Sequence, residues 1–268
     1  MSAEAAARAT KWSRPPMIEA TWLRHTLLVL GLAYLVWSMS SLEVDWERVS
    51  KGLPRAGDII TRMFPPDFSR WELLTRGVTE SLEMALAATF AGMILAVPLG
   101  LCAARNLVPM PVYLVARGII VFMRTLHEVI VAIIFVKIFG FGPLAGVLTL
   151  IVSSITFIAK MLAEDIENMS PGQVEAIRAT GAGFAKMLVY GVTPQILPRY
   201  LGVSIYRLDA NIRQSTIVGI VGAGGIGQTL SASFSRYDYD FSLAILLVII
   251  ALVFIGEFFS SWARGKLR

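Results

Sequence analysis

Long apolar stretches constrain this 268-residue sequence more than any other feature. Hydrophobic residues make up 56% of the chain and charged residues only 16%. A soluble domain of this size cannot bury such an apolar surplus, whereas a helix of about 20 apolar residues crosses the hydrocarbon of a bilayer. The sequence therefore predicts an all-α integral membrane protein.

Six apolar segments have the length of membrane-spanning helices. Their predicted limits are 23–41, 78–104, 111–136, 143–163, 200–221 and 241–262. The third segment contains several ionisable side chains and is followed by Gly140, Gly142 and Pro143. We therefore expect the helix of this third segment to be broken.

Basic residues gather at one set of segment ends. They lie before or at the start of the first span, after the second, after the fourth (the stretch Lys160 to Arg199) and at the end of the chain. Those outside that stretch are Arg8, Lys11, Arg14, Arg24, Arg105, Arg264, Lys266 and Arg268. The positive-inside rule places these ends in the cytoplasm, so both termini are expected there. The net charge of +5 then reflects membrane topology and does not indicate nucleic-acid binding. The mixed-charge segment 43–76 is expected to be an external connector.

The polar stretch 164–198 carries signals for two short helices outside the membrane. Ser170 and Pro171 are typical of an N-cap and a first helical position, and Gln173 falls at the third position of a capping box. Gly181 is then expected to end this first helix. The sequence predicts a cytoplasmic helical hairpin.

Part of this hairpin resembles the EAA loop of ABC importer permeases. The residues that this resemblance assigns to coupling with an ATPase are Glu175, Ala176, Gly181, Pro194 and Pro198. The sequence departs from the family pattern at Ile177, Gly191 and Thr193, but it keeps the helix-turn-helix spacing. No P-loop motif occurs in the chain, so an ATPase would have to be a separate subunit.

The resemblance implies a type I (MetI-like) importer fold with six transmembrane helices and cytoplasmic EAA coupling helices. Residues 1–70 would hold a cytoplasmic segment, the first transmembrane helix and the external connector, and residues 71–268 the permease domain. The implied partners are a second copy of the chain, two ATPase subunits that bind ATP and Mg²⁺, and an extracytoplasmic solute-binding protein. The implied location is the bacterial plasma (inner) membrane.

A glycine-rich run follows the fifth predicted span. Gly222, Gly224, Gly225 and Gly227 include the spacing of a dinucleotide-binding fingerprint. That fingerprint needs a βαβ unit, and only about 40 residues remain, most of them apolar. The resembled family carries a similar run after its fifth span, so we expect a close-packed bend near the outer face.

The fifth span contains polar side chains that are costly at membrane depth and are therefore candidates for function. At 100° per residue, one face carries Ser204, Arg207, Asn211 and Gln214. The opposite face carries Asp209 and Arg213, spaced as an i,i+4 ion pair. We predict that the first face lines a translocation pathway and that the second pair is structural.

The third segment carries a second polar cluster, which comprises Arg117, Arg124, His127 and Glu128. Two cationic faces suit an anionic solute, so Arg124, His127 and Glu128 are predicted to line the same translocation pathway. An alternative is that these side chains join neighbouring helices, with Glu128 paired to Arg124. The residues around His127 do not have the spacing of metal ligands, so no metal site is expected.

The runs 206–213 and 124–135, with the following 140–143, look like signatures of phosphonate importer permeases. In that subfamily the solute is a phosphonate, phosphate or phosphite. A methionine-type permease and an ion-coupled secondary transporter remain alternatives. A membrane enzyme would need a nucleophile with its base or a metal cluster; neither is found, so no catalytic residue is assigned.

Overall fold

The computed structural model describes residues 20–41 and 45–266, and the basic residues Arg8, Lys11, Arg14 and Arg268 lie outside these ranges. All regular secondary structure in the described residues is helical. The helices are α1 (Thr21–Ser41), α2 (Trp46–Met63), α3 (Trp71–Cys102), α4 (Met110–Thr125), α5 (Glu128–Phe139), α6 (Pro143–Glu167), α7 (Pro171–Ala179), α8 (Phe184–Met187), α9 (Thr193–Ile220), α10 (Gly225–Ser235) and α11 (Tyr239–Gly265). Contacts divide the chain into two compact units, before and after the Asp58–Ile59 bond.

Five helical stretches of the described chain are long and apolar enough to cross a membrane, or six if the bent pair α4 and α5 counts as one. They are α1, α3, α6, the stretch Phe184–Ser235 and α11. These elements coincide with the six predicted spans. The prediction of an all-α, multi-pass membrane protein is therefore confirmed.

The first unit contains α1 and the greater part of α2. No residue of α1 is buried within the described chain, as suits a helix surrounded by lipid. Helix α2 lies within the segment that was expected to be an external connector, and its apolar residues Trp46, Val49, Leu53 and Ile60 recur at helical spacing. The charges in this segment gave it the composition of a loop, although they occupy one side of an amphipathic helix.

The second unit is built around α3, α6 and α9, which pack through small side chains. A Cβ atom added at Gly92 would lie 2.5 Å from Cβ of Ser154, and one added at Gly100 would lie 2.8 Å from Cδ2 of Leu162. Ala88 and Ala96 on α3 are fully buried. Close backbone approach through small residues is the usual way in which helices associate in a membrane, where apolar surface by itself gives little driving force.

The third predicted span is broken, as expected. Helices α4 and α5 meet at 87°. Leu126 and His127 between them are extended, and Nδ1 of His127 accepts a hydrogen bond from the backbone N–H of Val129 at 3.3 Å. The break opens the space beside α6 and α9 in which the polar site lies.

Candidate functional site

A cavity of about 400 Å³ lies where the α4–α5 break faces the middle of α6 and α9. Apolar side chains form much of its wall. Its polar lining includes Arg124, His127, Glu128, Ser153, Arg207 and Gln214. Five of the seven residues predicted to line a pathway thus meet in one cavity, although they come from three separate helices.

Arg207 is the central charged group of this cavity. Only 4% of its surface is exposed. Its Nη2 atom donates hydrogen bonds to Oγ of Ser153 at 2.7 Å and Oε1 of Gln214 at 2.9 Å, and it lies 3.4 Å from Oε1 of Glu128. Its Nε atom donates to Oγ of Ser154 at 3.1 Å. These four partners fix the plane of the guanidinium and offset the cost of burying its charge.

Glu128 faces Arg207 and also accepts a hydrogen bond from Oγ of Ser153. Ser153 therefore joins the carboxylate to the guanidinium, since its hydroxyl donates to one and accepts from the other. The alternative pairing of Glu128 with Arg124 is wrong. Glu128 begins α5 beyond the helix break, and this position turns its side chain towards α9.

Arg124 and His127 are the exposed polar residues of the lining. Among the described residues, Arg124 has no hydrogen-bond or ion-pair partner. Arg117 lies two turns earlier on α4, where it bonds to Glu167 at 2.9 Å and to the carbonyl of Ala103 at 2.9 Å. Arg117 is thus on the same helix as Arg124 but outside the cavity, because seven residues of helix separate them by about 10 Å.

Asn211 lies behind the cavity and is completely buried. Its Nδ2 atom donates to Oγ1 of Thr89 at 2.8 Å and to Oγ of Ser154 at 2.9 Å, so one amide joins α9 to both α3 and α6. Ser204 likewise does not line the cavity, and its hydroxyl bonds to the carbonyl of Tyr200 at 2.8 Å. The predicted polar face of α9 therefore has a buried part as well as a part open to the cavity.

The opposite side of α9 carries Asp209 and Arg213, which form an ion pair of 2.6 Å within the helix. Asp209 faces α11, where a Cβ atom added at Gly256 would lie 3.5 Å from its Oδ1 atom. Neither residue lines the cavity.

Ser153, Ser154 and Thr89 were not identified from the sequence. Each is a small polar residue in an apolar span, and such residues also occur as ordinary helix-contact positions. The adjacent pair Ser153 and Ser154 in the middle of the fourth span was the signal that could have identified them. Their importance becomes visible only when α9 brings Arg207 and Asn211 against them.

The predicted helical hairpin is present at one end of α9. Helix α7 begins at Pro171, and Gly181 (φ +78°) turns the chain towards α8. A π-helical turn, Leu188–Val192, then joins α8 to α9. Glu175, Ala176 and Gly181 are exposed on this hairpin.

The start of α7 is held differently from the prediction. The side chain of Ser170 makes no capping hydrogen bond, so the capping box with Gln173 is not formed. Instead, Oε1 of Gln195 accepts from the backbone N–H of Ser170 at 3.1 Å, and Nε2 of Gln195 donates to the carbonyls of Ser170 and Gly191 at 3.3 and 2.7 Å. A residue of α9 thus holds both sides of the hairpin together.

Gly191, one departure from the EAA pattern, lies where the π-helical turn meets α7. A Cβ atom at this position would lie 3.4 Å from Cα of Val174, so the π-helical turn packs closely on α7. Pro194 and Pro198 are exposed in the first two turns of α9. Nearby apolar side chains are exposed as well, among them Phe184 (57%) and Tyr190 (66%). The hairpin therefore offers a mixed polar and apolar surface.

The glycine run forms the bend at the other end of α9. Gly222, Gly224 and Gly225 have positive φ values of 93°, 87° and 70°. The backbone N–H groups of Gly225 and Ile226, at the start of α10, donate to Oε2 of Glu80 at 3.2 Å and to Oγ of Ser81 at 3.0 Å. Protein side chains thus satisfy this helix start, and the surroundings are helical, as expected for a close-packed bend.

Comparison with known proteins gives one consistent result. Residues 96–268 match the family described as "Binding-protein-dependent transport system inner membrane component". The phosphite transport system permease protein PtxC of Stutzerimonas stutzeri is 38% identical over 248 residues, which are 92% of this chain and 90% of that protein. The phosphate-import permease protein PhnE of Mycolicibacterium smegmatis is 41% identical over 78% of this chain. That match spans only 40% of the length of the M. smegmatis protein.

A solved structure has the same architecture. The chain resembles a subunit of the MetNI methionine ABC transporter in an inward-facing conformation, with a TM-score of 0.66 and 25% identity over 75% of this chain and 99% of that one. A D-methionine permease protein from Pasteurella multocida is likewise 25% identical, over 68% of this chain. The similarity to methionine permeases is therefore more distant than the similarity to the phosphite and phosphate permeases.

Proposed function

The chain belongs to the family of inner membrane components of binding-protein-dependent transport systems, and we propose that it carries a phosphonate, phosphite or phosphate anion across the membrane. Permeases of this family work with an ATPase and a solute-binding protein and are not enzymes. The single observation that supports an anionic cargo is Arg207, which is buried in the middle of α9 yet lines a cavity. Relatives named as phosphate-import and phosphite transport permeases support phosphorus oxyanions as the class of anion.

A charged side chain within a membrane-spanning helix is costly, and it is retained where it serves transport or binds a partner. Arg207 and Arg124 bring two cationic side chains to the cavity, against the single carboxylate of Glu128. A guanidinium offers paired N–H donors that match the oxygens of a phosphorus oxyanion. The geometry thus supports passage of an anion more strongly than passage of an amino acid such as methionine.

The hairpin is proposed to dock on the ATPase. Glu175, Ala176 and Gly181 are exposed, and the hairpin continues directly into α9, on which Arg207 lies. Movement of the hairpin would therefore be transmitted along α9 to the cavity. In the proposed assembly, two copies of this chain pair with two ATPase subunits, which bind ATP and Mg²⁺. The hairpin and both termini would face the cytoplasm, and the solute-binding protein would dock on the opposite side.

The test is uptake by proteoliposomes that contain the permease, its ATPase and its binding protein. We expect ATP-dependent uptake of labelled phosphite, phosphate or methylphosphonate. Arg207→Gln should lower uptake at least about tenfold, because the charge that receives the anion is removed. The matched control is Arg213→Gln, which alters the neighbouring ion pair outside the cavity and should retain uptake.

Three results would contradict the proposal. Equal uptake by Arg207→Gln and the unaltered permease would remove the assigned role of Arg207. Uptake that persists without the ATPase would indicate a secondary transporter. Uptake of methionine but of none of the three anions would indicate a methionine-type permease.

A further inference from the structure

We propose that Glu128 occupies the anion site of the empty permease and competes with the transported anion for Arg207. This inference rests on the function proposed above and adds a residue that sets how tightly the permease holds its cargo. It follows from the position of Glu128, which lies in the cavity wall and faces the buried guanidinium of Arg207.

The pairing satisfies Arg207 while no anion is present. A buried guanidinium without a counter-charge is strongly destabilising. Glu128 provides that charge at 3.4 Å, and its side chain is 25% exposed, compared with 5% for that of Arg207. The carboxylate therefore sits between the buried cation and the open part of the cavity, in the position that an incoming anion must take.

Ser153 makes this pairing exchangeable. Its hydroxyl donates to Glu128 and accepts from Nη2 of Arg207. The hydroxyl can rotate, so the same donor can bond to an oxygen of a phosphorus oxyanion once the carboxylate has moved away. Gln214 and Ser154 keep the guanidinium in place during such an exchange, because they bond to it independently of Glu128.

The charges around the cavity give a direction to the exchange. The polar side chains that face it are Arg124 on α4, His127 just before α5, Glu128 at the start of α5, Thr149, Ser153 and Thr156 on α6, and Arg207 and Gln214 on α9. The two arginines and the one carboxylate of this lining together give one net positive charge. Arg124 is exposed and has no partner in the described chain, so an anion meets it before it reaches Arg207.

The volume is sufficient for both groups during the exchange. A cavity of about 400 Å³ equals the share of roughly a dozen water molecules in the liquid, at about 30 Å³ each. A small oxyanion thus fits beside the displaced carboxylate. When the anion leaves, Glu128 returns to Arg207, so the permease never has to hold an unpaired buried cation. A transport pathway benefits from such a competitor, since cargo that binds too tightly is not released.

The experiment compares Glu128→Gln with the unaltered permease, each assembled with its ATPase in lipid nanodiscs. Equilibrium binding of radiolabelled phosphate and phosphite is measured without the binding protein. We expect Glu128→Gln to bind at least about tenfold more tightly, because glutamine keeps the hydrogen bonds but removes the competing charge. In proteoliposomes with the binding protein, both KM and kcat should fall, since release becomes slow.

The matched control is Asp209→Asn. Like Glu128→Gln, this change neutralises a carboxylate that pairs with an arginine of α9. The Asp209–Arg213 pair, however, lies outside the cavity. Its anion binding should equal that of the unaltered permease. If Glu128→Gln does not assemble, Glu128→Asp is measured in the same way, because the shorter side chain withdraws from Arg207 and should also tighten binding.

The outcomes separate the two proposals. Unaltered or weaker anion binding by an assembled Glu128 variant, with normal uptake by the unaltered permease, would overturn the competition and leave the transport function standing. If the Asp209→Asn control also binds the anion more tightly, the effect is one of net charge, and the proposed competition is overturned as well. Failure of the unaltered assembly to take up any of the phosphorus oxyanions would overturn both proposals.

Discussion

The hairpin, residues 170–198, and the glycine bend, residues 221–227, lie at opposite ends of α9 and use glycine in contrasting ways. Gly181 in the hairpin has a positive φ, and among the described residues no atom beyond its chain neighbours lies within 4 Å of the position that a Cβ atom would take. In the bend, added Cβ atoms at Gly224 and Gly225 would lie 2.7 Å from Pro143 and 2.5 Å from Oγ of Ser81. The hairpin needs glycine for its backbone conformation, whereas the bend also needs glycine for close packing.

This difference agrees with the proposed roles of the two ends. A surface that docks on a partner must be accessible, and the exposed residues of the hairpin meet this requirement. The bend is anchored to α3 through Glu80 and Ser81 and to α6 through Pro143. Helix α9 thus has one end that can move with a partner and one end that is held by the rest of the unit.

The largest effect is expected from Gly227→Ala in the bend. An added methyl group would overlap the backbone of Thr216 and lie 3.1 Å from Cα of Gly219, so α9 and α10 must separate. Overpacking of this kind costs about 1–3 kcal/mol or more. The control is Gly202→Ala in the neighbouring helix α9, where no other element of the described chain lies within 4 Å of the added methyl group. The melting temperature of the purified permease should fall for Gly227→Ala only. Equal melting temperatures of the two variants would contradict the close packing.

A smaller effect on folding, but a loss of coupling, is expected from Gly181→Trp in the hairpin. The positive φ adds strain of about 1–2 kcal/mol, and the bulky side chain occupies the surface proposed to meet the ATPase. Membrane insertion should persist while co-purification with the ATPase is lost. Gly181→Asn is the control, because asparagine tolerates this conformation and should keep the partner bound. Co-purification and transport by Gly181→Trp at normal levels would disprove the docking role.

The smallest effect is expected from Gln195→Ala, which removes the three hydrogen bonds that join Ser170 and Gly191 to α9. These bonds are partly exposed, so a cost of about 1 kcal/mol is expected. Hydrogen exchange in α7 should accelerate while the cavity stays protected. Gln173→Ala is the control, because the capping bond predicted for Gln173 is not formed. Faster hydrogen exchange in Gln173→Ala than in Gln195→Ala would contradict this assignment and support the predicted capping box.

Much of the architecture was predictable because it depends on local patterns. Apolar length located the spans, and the ionisable side chains within the third segment indicated that its helix is broken. The i,i+4 spacing suggested that Asp209 and Arg213 are partners, and they lie 2.6 Å apart. Helix α2 was missed because its charges, taken without helical periodicity, resemble those of a loop.

The cavity was only partly predictable. Helical spacing placed Arg207 and Gln214 on one face, and they bond at 2.9 Å. The same reasoning placed Ser204 and Asn211 with them, but it could not distinguish the part of that face which packs on α3 and α6. Nor could it identify Gln195 as the residue that holds the hairpin, since its contact with Ser170 spans 25 residues.

The sequence by itself determined that this chain is a multi-pass helical membrane protein, with a hairpin before its fifth span and a bend after it. Composition and spacing within a few turns are sufficient for these features, because a membrane helix satisfies its own backbone hydrogen bonds. Only the tertiary structure decided that Glu128 meets Arg207 across 79 residues of chain, with Ser153 between them. That pairing depends on the 87° break after α4, which turns α5 so that the carboxylate faces α9.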